Sequence, residues 1–320
     1  MKQFALIGAA GYVAQKHMKA IKDTGNNLVA AMDNFDSVGI IDRYFPKSSF
    51  FVEFERFDRY IDKIRRAGNG IDYLSVCSPN YLHDAHIRFG FRSGAHVICE
   101  KPLVLNPWNA KALLALEQEY EQRVYCILQL RLHEQVIALK DKIAMLGDDK
   151  IHDVELTYIT SRGNWYYSRW KGDESKSGGI ATNIGVHFFD MLMWLYGSVI
   201  ENQVHVYSHD RAAGVLKLER ANVKWFLSIN DETLPQEIKK SGQRVYRTLS
   251  LGEETFDFST GFDELHTRSY EHILSESGFG IEDAMDAIDI VHQIRSADLT
   301  ALSEASHPLA HLPLTKHPFK

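Results

Sequence analysis

Short apolar runs alternate with amphipathic segments through roughly the first 130 residues of the chain. Residues 2–7 and 96–99 are mostly apolar, which is typical of strands buried on both faces. Residues 54–66 place Phe54, Phe57 and Ile61 at helical spacing, which predicts an amphipathic helix. Strands that alternate with helices predict a parallel, doubly wound sheet of the α/β class. The predicted strands are 2–7, 28–32, 49–52, 71–78, 96–99 and 124–130, and further helices are predicted at 81–93 and from 106 onward.

The second half of the chain has longer runs in which apolar and polar residues alternate. Few helices separate these runs, which cover residues 153–160, 202–207, 215–229 and 244–258. This pattern predicts an α+β domain with a large open sheet that is mostly antiparallel. Helices are predicted at 265–275 and 281–299, and the proline-containing tail 303–320 is predicted to lie extended on the surface. We expect two domains, 1–125 and 126–320, and a partner subunit over the open sheet face.

A glycine turn joins the first predicted strand to the first predicted helix. Gly8 and Gly11 are three residues apart, so the turn departs from the usual G-x-G-x-x-G spacing. Gly8 permits the tight turn, Gly11 lets a pyrophosphate approach the backbone, and the helix N-terminus supplies N–H donors. We therefore expect a dinucleotide to bind at Gly8, Ala10, Gly11, Tyr12 and Val13.

An acidic residue ends the second predicted strand. Asp33 lies at the spacing at which a carboxylate binds the ribose hydroxyls of NAD in dinucleotide folds. The next residues, Asn34 and Phe35, bring no arginine that would hold a 2′-phosphate. The sequence therefore favours NAD over NADP as the cofactor.

A charged tripeptide, Glu100-Lys101-Pro102, follows the apolar run 96–99. The proline fixes the backbone and stops the strand. Lysine is rarely buried without a partner, and a cation at the carboxyl edge of a parallel sheet lies where ligands of α/β folds bind. The alternative is a strand-end lysine whose ammonium group extends into water. The tripeptide alone leaves both open, and the glycine turn with Asp33 favours the ligand site.

The composition is that of a soluble enzyme. The chain has 320 residues, more than one hydrophobic core usually holds, and its formal net charge of −6 argues against a nucleic-acid or membrane surface. No apolar run approaches the roughly 20 residues of a membrane helix, and the N-terminus lacks a signal-peptide pattern, so we expect a cytoplasmic protein. The three cysteines lack C-x-x-C spacing, and neither a metal site nor a disulfide is expected.

Several motifs follow one another along the chain: the glycine turn, Asp33, the segment 78–83, Glu100-Lys101-Pro102 and the segment 183–190. In this order they resemble the motifs of the Gfo/Idh/MocA oxidoreductases. The resemblance implies an NAD-binding Rossmann domain followed by a domain for substrate binding and oligomerisation. It also implies further cofactor contacts, at Ser78, Asn80, His83, Glu100, Lys101 and Gln129.

Further segments are similar to one branch of that family, and they cover residues 127–133, 158–167, 178–183 and 261–268. The branch consists of the UDP-N-acetyl-2-amino-2-deoxyglucuronate 3-dehydrogenases of bacterial surface-polysaccharide synthesis (the WlbA/WbpB type), which includes O-antigen and lipopolysaccharide. The similarity implies NAD-dependent oxidation of the C3 hydroxyl of a UDP-linked N-acetylglucosaminuronate. It also implies a homotetramer and 2-oxoglutarate as a second substrate that reoxidises NADH.

Two residues of these motifs suit the oxidation of a secondary alcohol. The hydroxyl proton must leave as hydride leaves carbon, and histidine has a free pKa near neutrality, so we expect His187 to be the general base. Lys101 would stabilise the developing alkoxide. The alternative for His187 is a hydrogen-bonded core histidine on an apolar helix. The resemblance favours the base, and which of the two residues accepts the proton stays open.

One position departs from the family pattern. Asn183 stands where the family often has aspartate, and an amide orients a sugar hydroxyl but cannot titrate. Proton transfer therefore falls to His187 and Lys101. Asp190, one helical turn after His187, would orient a side chain or complement the start of the helix.

Aromatic and basic residues are interleaved in the segment 165–171. Such a segment suits a flat uracil ring and a diphosphate, and it also suits a core edge or a subunit interface. Arg131 and Arg162 would pair bidentately with a phosphate or with the sugar carboxylate. The expected substrate contacts are Lys101, Arg131, Arg162, Trp165, Tyr166, Lys171, Asn183 and His187.

Two other functions stay open on the sequence. Another Gfo-type enzyme would act on free sugars or inositols and would need no uracil and diphosphate pocket. A catalytically silent NAD-binding regulator should lack the lysine and histidine pair, and both Lys101 and His187 are present. We therefore predict an NAD-dependent dehydrogenase that acts on a UDP-linked hexuronate.

Overall fold

A parallel six-stranded sheet forms the centre of the first of two units into which contacts divide the chain. The computed structural model describes residues 1–147, 150–258 and 261–320. The first unit comprises Met1–Gln129 and Asp263–Met285. Its strands are β1 Gln3–Ile7, β2 Asn27–Met32, β3 Ser49–Phe51, β4 Tyr73–Val76, β5 His96–Cys99 and β6 Val124–Cys126. They pair in the order β3-β2-β1-β4-β5-β6, which confirms the predicted doubly wound sheet.

Helices of the first unit bury an apolar face. Helix α1 shows the pattern, because Ala14, Met18 and Ile21 are fully buried and lie on one side of the helix. The helices of this unit are α1 Ala14–Asp23, α2 Ile40–Tyr44, α3 Phe54–Arg66, α4 His83–Arg92, α5 Pro107–Tyr120 and α10 Leu265–Leu274.

The second unit, Leu130–Phe262 with Asp286–Lys320, contains a mixed six-stranded sheet. Its strands are β7 His152–Thr160, β8 Val199–Tyr207, β9 Arg211–Leu218, β10 Ala221–Ser228, β11 Val245–Leu251 and β12 Glu254–Asp257. The order is β12-β11-β7-β10-β9-β8. Strands β7 and β10 pair in parallel and the other neighbours are antiparallel, which confirms the predicted sheet type.

The two faces of this second sheet have different cover. On one face Leu156 and Trp225 pack in a large core with helix residues such as Phe189. On the other face a smaller cluster joins Phe226 to Ala310 of the C-terminal tail. The remaining helices are α6 Glu134–Met145, α7 Glu174–Ser177, α8 Val186–Tyr196, α9 Gln236–Lys240 and α11 Ile281–Ser296, the last of which is divided between the two units.

Two of the predicted strands are each part of a hairpin. The predicted run 215–229 contains the end of β9, a turn at Glu219-Arg220 and all of β10. The predicted run 244–258 contains β11 and β12, which are joined at Gly252 in the left-handed region with φ +61°. The non-apolar residues at the two turns are few, Glu219-Arg220 in one run and 252–255 in the other, so the interruption of the alternation was too short to separate the strands.

The C-terminal tail departs from its prediction as a surface segment. Ser306, His307 and Ala310 are buried. The His307 ring stacks on Phe226 with 5.4 Å between centroids, and its Nε2 lies 2.9 Å from the Thr157 hydroxyl. The prediction of a surface position is therefore wrong for Ser306, His307 and Ala310, which are buried in the second unit.

The contact-defined units differ from the predicted domains, 1–125 and 126–320, in where they place residues 263–285. These residues belong to the first unit by contacts, through helix α10. Within the described ranges, none of the helices combines the length and apolar character needed to cross a membrane.

Candidate active site

The glycine turn lies at the carboxyl end of β1, between β2 and β4 in the sheet. Gly8 has φ +91°, and a Cβ there would lie 2.5 Å from the Cys77 carbonyl carbon. A Cβ at Gly11 would lie 3.1 Å from the Gly8 carbonyl oxygen. Tyr12 is exposed, and Val13 is half-buried at the start of α1. The glycines therefore let the turn pack closely on the backbone after β4, and they place it at the start of α1, where a pyrophosphate binds in dinucleotide folds.

Asp33 follows β2 and contacts the same turn. Its Oδ2 accepts a hydrogen bond of 2.9 Å from the Ala10 amide, and its Oδ1 accepts one of 3.0 Å from the Phe35 amide. Each carboxylate oxygen has a second lone pair, so these bonds leave acceptor capacity for a ribose hydroxyl. Asp33 thus has a structural role in the turn in addition to the predicted cofactor contact.

Four of the predicted site residues lie at one edge of the first sheet. The last residues of β1, β2, β4 and β5 are neighbours in the parallel register. Gly8, Asp33, Ser78 and Lys101 directly or nearly directly follow these strand ends. The structure therefore brings them together at the carboxyl edge, where α/β sheets bind ligands.

His83 is fully buried and connects two loops at this edge. Its Nδ1 lies 2.7 Å from the Pro102 carbonyl oxygen and its Nε2 lies 2.9 Å from the Ser78 carbonyl oxygen. Burial lowers the pKa of His83, although both carbonyl contacts act in the opposite direction. The Ser78 hydroxyl contacts His86 Nδ1 at 2.8 Å. The imidazole of His83 therefore holds the backbone beside Lys101 in place.

The two predicted amide contacts differ in their surroundings. Asn80 is buried in a short 3-10 turn before α4. Gln129 is half-buried after β6, and its Oε1 is enclosed without a hydrogen-bond partner in the described parts of the chain. An enclosed acceptor of this kind is costly unless a ligand satisfies it. Gln129 is therefore suited to a ligand that donates a hydrogen bond, as an amide group does.

His187 lies near the start of α8, directly after a π-helical turn at Ala181–Gly185. Its neighbours Val186 and Phe188 are buried, whereas His187 itself is half-buried. A Cβ at Gly185 would lie 2.5 Å from the Leu227 side chain, so the helix start packs tightly on β10. π-helical turns are often found at functional sites. The position therefore differs from that of a fully enclosed core histidine.

Asn183, within the π-helical turn, is paired with an aromatic residue of the segment 165–171. Its Nδ2 donates to the Tyr166 hydroxyl oxygen at 2.7 Å. Burial raises the pKa of Tyr166 to about 12, against the opposite effect of the Asn183 hydrogen bond, so the phenol is neutral at physiological pH. The structure thus brings these two predicted substrate residues into direct contact.

Arg131 and Asp190 form a buried ion pair. Arg131 Nε donates to Asp190 Oδ2 at 3.1 Å, and its Nη2 donates to Oδ1 at 2.7 Å. The bidentate edge of the guanidinium therefore faces Asp190, which orients a side chain as the sequence suggested. A ligand contact from Arg131 would have to use N–H groups of the guanidinium other than the two directed at Asp190.

A cavity of about 770 Å³ in the second unit contains part of the predicted substrate set. Tyr166 and Lys171 line it, whereas Arg131, Arg162, Trp165, Asn183 and His187 are not among its lining residues. Lys171 Nζ lies 5.8 Å from the centre of the exposed Trp165 ring. Burial and the Arg162 charge lower the pKa of Lys171. The segment 165–171 therefore contributes both to the cavity and to its rim.

Sequence reasoning missed the contribution of the tail to this cavity. His317, Phe319 and Lys320 line it together with Tyr207 and His209. Their aromatic and basic character was the signal available, but nothing in the local sequence indicates that the tail folds back onto β8 and β9.

Glu100 points into the first unit. Its carboxylate contacts His17 and His266, and the three form a buried group of potential metal-ligand atoms that lie within 4.8 Å of one another. The sequence predicted no metal site, because these residues are far apart along the chain. Their contacts are hydrogen bonds of 2.9 Å.

Two family models match the chain. One is described as the oxidoreductase family, NAD-binding Rossmann fold, and matches residues 2–127; the other is described as the C-terminal alpha/beta domain of that family and matches residues 140–233. The chain belongs to the Gfo/Idh/MocA oxidoreductase family. This confirms the predicted family and the NAD-binding Rossmann domain.

Solved structures of this family are similar over nearly the whole chain. The WlbA (WbpB) dehydrogenase from Thermus thermophilus, crystallised with NAD and UDP-GlcNAcA, is 45% identical with a TM-score of 0.93, and the match covers 96% of this chain and 99% of that one. A second crystal structure of the Thermus enzyme, with NAD and alpha-ketoglutarate, matches equally well. WlbA from Bordetella pertussis, at 18% identity and a TM-score of 0.75, shares the fold.

Curated relatives within the family match more distantly. Inositol 2-dehydrogenase from Rhizobium meliloti is 29% identical over 197 residues, which are 61% of this chain and 55% of the relative. Glucose-6-phosphate 3-dehydrogenase from Bacillus subtilis is 26% identical over 210 residues, 62% of this chain and 55% of the relative. The chain thus spans about half the length of these curated relatives.

Proposed function

We propose that this protein oxidises the C3 hydroxyl of a UDP-linked N-acetylglucosaminuronate to the 3-keto sugar, with NAD as cofactor. The observation that carries the proposal is the 45% identity, over 96% of the chain, with the Thermus thermophilus enzyme that was crystallised with NAD and UDP-GlcNAcA. The biological setting that we propose is nucleotide-sugar synthesis for bacterial surface polysaccharide, including O-antigen.

The residues of the first unit suit NAD. The glycine turn lies at a helix start, and the Asp33 carboxylate accepts a hydrogen bond from its Ala10 amide. The enclosed Gln129 Oε1 offers an acceptor for the cofactor's amide group. NAD, when bound, accepts the hydride that leaves the sugar carbon. The protein's part is to hold the cofactor and to manage the proton.

Two side chains are assigned to the reacting hydroxyl. His187, half-buried at the start of α8, accepts the hydroxyl proton on its imidazole. Lys101, half-buried after β5, stabilises the negative charge that develops on the oxygen. Asn183 cannot take part in proton transfer and orients a sugar hydroxyl or Tyr166.

The cavity of the second unit is proposed for the nucleotide part of the substrate. Its volume of about 770 Å³ is in the usual range for small-molecule sites. Aromatic side chains and the Lys171 cation suit a uracil ring and a diphosphate. Arg162, which lies close enough to affect Lys171, adds positive charge for the diphosphate or the sugar carboxylate.

The proposal is tested by NADH formation with defined substrates. The purified protein should form NADH with NAD and UDP-N-acetylglucosaminuronate, and it should be much slower with UDP-N-acetylglucosamine, which lacks the carboxylate. Equal rates with both sugars would show that the enzyme does not recognise the sugar carboxylate. No NADH with either sugar, from folded protein that binds NAD, would overturn the proposed function.

A second candidate is a dehydrogenase of free or phosphorylated sugars or of inositols. The curated inositol 2-dehydrogenase and glucose-6-phosphate 3-dehydrogenase, at 29% and 26% identity, favour it. Such an enzyme needs no nucleotide pocket. Titration with UDP discriminates the two, because the proposed function requires that UDP bind and compete with the sugar substrate.

We further propose that 2-oxoglutarate reoxidises NADH as a second substrate. The Thermus thermophilus relative crystallised with NAD and alpha-ketoglutarate supports this proposal. Protein loaded with NADH should lose its nicotinamide absorbance when 2-oxoglutarate is added and should release 2-hydroxyglutarate. If the absorbance persists, 2-oxoglutarate does not reoxidise the bound NADH.

The cofactor preference gives a prediction at Asp33. Asp33→Ala is expected to weaken NAD binding by about 1–3 kcal/mol, because both the ribose contact and the Ala10 hydrogen bond are lost. Asp33→Asn is the matched control, since it keeps the size and one acceptor. Binding is measured by calorimetry. Tighter binding of NADP than of NAD to the unaltered protein would contradict this interpretation of the strand end.

The proposed assembly is a homotetramer in the cytoplasm. All three cysteines, Cys77, Cys99 and Cys126, are free and buried, as is usual in a reducing compartment. Both faces of the second sheet carry packed clusters, so the assembly is proposed from the similarity to the WlbA/WbpB type and not from an uncovered sheet face. Light scattering is expected to give the mass of four chains at micromolar concentration, and a stable monomer would rule the assembly out.

A further inference from the structure

Buried polar side chains surround the strand end that carries Lys101. Glu100 is 7% exposed, and its Oε1 accepts hydrogen bonds of 2.9 Å from His17 Nε2 and 2.9 Å from His266 Nε2. Its Oε2 lies 3.3 Å from the Lys101 amide, which donates to it. Both oxygens of the carboxylate are therefore engaged inside the first unit.

The hydrogen bonds continue beyond His17 in one direction. His17 Nδ1 lies 2.7 Å from the Tyr270 hydroxyl, which lies 2.7 Å from the Ser75 hydroxyl. A chain of hydrogen bonds therefore joins the Glu100 carboxylate through His17 and Tyr270 to Ser75. Burial raises the pKa of Tyr270 well above its ordinary value, so its hydroxyl keeps its proton.

The Glu100 carboxylate is ionised in this setting. Burial alone would raise its pKa, but the hydrogen bonds from His17 and His266 outweigh burial and hold the pKa well below its ordinary value. Burial raises the thiol pKa of Cys77 and of Cys99, and the Glu100 charge adds to both shifts, so both thiols stay neutral. A fixed negative charge therefore lies one residue before Lys101.

The other groups that face this charge come from two helices. His17 lies on α1, and His266 and Tyr270 lie on α10. Burial lowers the pKa of His266, and the nearby Lys16 acts in the same direction. The anion is thus stabilised mainly by hydrogen-bond donors on helices that pack beside the strand.

The peptide on the other side of Lys101 is also held by a buried histidine. The Pro102 carbonyl contacts His83 Nδ1 at 2.7 Å. The backbone of Lys101 is therefore fixed before and after its Cα, by Glu100 and by His83. Fixed backbone on both sides restricts the ammonium group to the rotamers of its own side chain.

We propose that Glu100, held by His17 and His266, is a positioning residue that acts through Lys101: it fixes the Lys101 backbone and places a buried negative charge one residue before it. Both oxygens of Glu100 have partners within the protein, so this positioning role is proposed in addition to the cofactor contact expected from the sequence. The inference rests on the proposed function of Lys101 in alkoxide stabilisation. The charge keeps Lys101 protonated, the state in which a lysine stabilises an oxyanion.

A measurement without substrate tests the charge directly. Lysines are labelled by reductive ¹³C-methylation, and the Lys101 signal is assigned by its absence from Lys101→Arg. In Glu100→Gln its apparent pKa is expected to fall by about one pH unit, and in Glu100→Asp it should stay near the unaltered value. An identical Lys101 pKa in the folded Glu100→Gln variant would overturn the proposal. Because no sugar is used, this result is independent of whether the proposed substrate is correct.

Turnover measurements on variants of Glu100 and His266 test whether these residues position Lys101. Glu100→Gln and His266→Gln are expected to lower turnover at saturating NAD by about 10- to 100-fold, with the NAD dissociation constant changed by less than about threefold. The alkaline limb of the turnover profile should move to lower pH in Glu100→Gln, because Lys101 then loses its proton more easily. His307→Gln is the matched control, since it also alters a buried, hydrogen-bonded histidine.

Three results would contradict the proposal. If Glu100→Gln and His266→Gln lower the melting temperature but leave turnover unchanged, as expected for His307→Gln, then Glu100, His17 and His266 only stabilise the fold. A weakened NAD affinity with unchanged turnover would leave Glu100 with the cofactor contact alone. One equivalent of metal that co-purifies with the protein and is lost in His266→Gln would make the group a metal site.

Discussion

Replacement of His187 by asparagine is expected to slow single-turnover NADH formation by about 10²- to 10⁴-fold. Asparagine keeps a similar size and a hydrogen-bonding group but cannot accept the proton from the sugar hydroxyl. The half-buried position at the start of α8, between buried neighbours, should tolerate the change without loss of fold. The rate is followed at the nicotinamide absorbance with UDP-N-acetylglucosaminuronate as the substrate.

Two comparisons make this result specific. NAD affinity should be unchanged in His187→Asn, because the glycine turn and Asp33 are unaltered. His272→Asn, at an exposed position on α10, is the surface control and should react at the unaltered rate. If His187→Asn reduced NAD as fast as the unaltered protein, the proton acceptor would have to be Lys101 or a water molecule that Lys101 holds.

The second large effect is expected at Lys101. Lys101→Met keeps the length of the side chain and removes the ammonium group, so the developing alkoxide loses its stabilising charge and turnover should fall by about 10²- to 10⁴-fold. Lys101→Arg keeps a charge in a different shape and should recover part of the rate. Single-turnover kinetics with saturating NAD separate this effect from binding.

The double variant decides whether the two residues act on one group. If His187 and Lys101 serve the same hydroxyl, the combined loss in His187→Asn with Lys101→Met should be much smaller than the product of the single losses. Losses that multiply would mean that the two residues act in independent steps, which would contradict the shared role.

Local patterns in the sequence were sufficient for much of the first unit. Strand β5 and helix α3 have the predicted bounds, because an apolar run and a helical repeat are properties of consecutive residues. The glycine turn and Asp33 lie at the same sheet edge, as expected, because parallel strands bring their carboxyl ends together. These predictions needed no knowledge of distant contacts.

Contacts between distant residues were not predictable in the same way. The pairing of Arg131 with Asp190 and of Glu100 with His266 depends on how separate elements pack. In the sequence, each of these residues by itself is of a type that often binds ligands. The burial of His307 has the same cause. Likewise, a turn of two residues such as Glu219-Arg220 interrupts the alternation of apolar and polar residues too briefly to show where one strand ends.

The first unit is assembled from two separate stretches of the chain, and this has a consequence for its biosynthesis. Helix α10, which supplies His266 and Tyr270, is translated more than 100 residues after Gln129. In a nascent chain that has just emerged past Gln129, the Glu100 carboxylate would accept a hydrogen bond from His17 but not yet from His266. The dinucleotide-binding unit should therefore reach full stability only after the second sheet has been synthesised. For the same reason, residues 1–129 should not fold as an independent domain when they are exchanged between homologues.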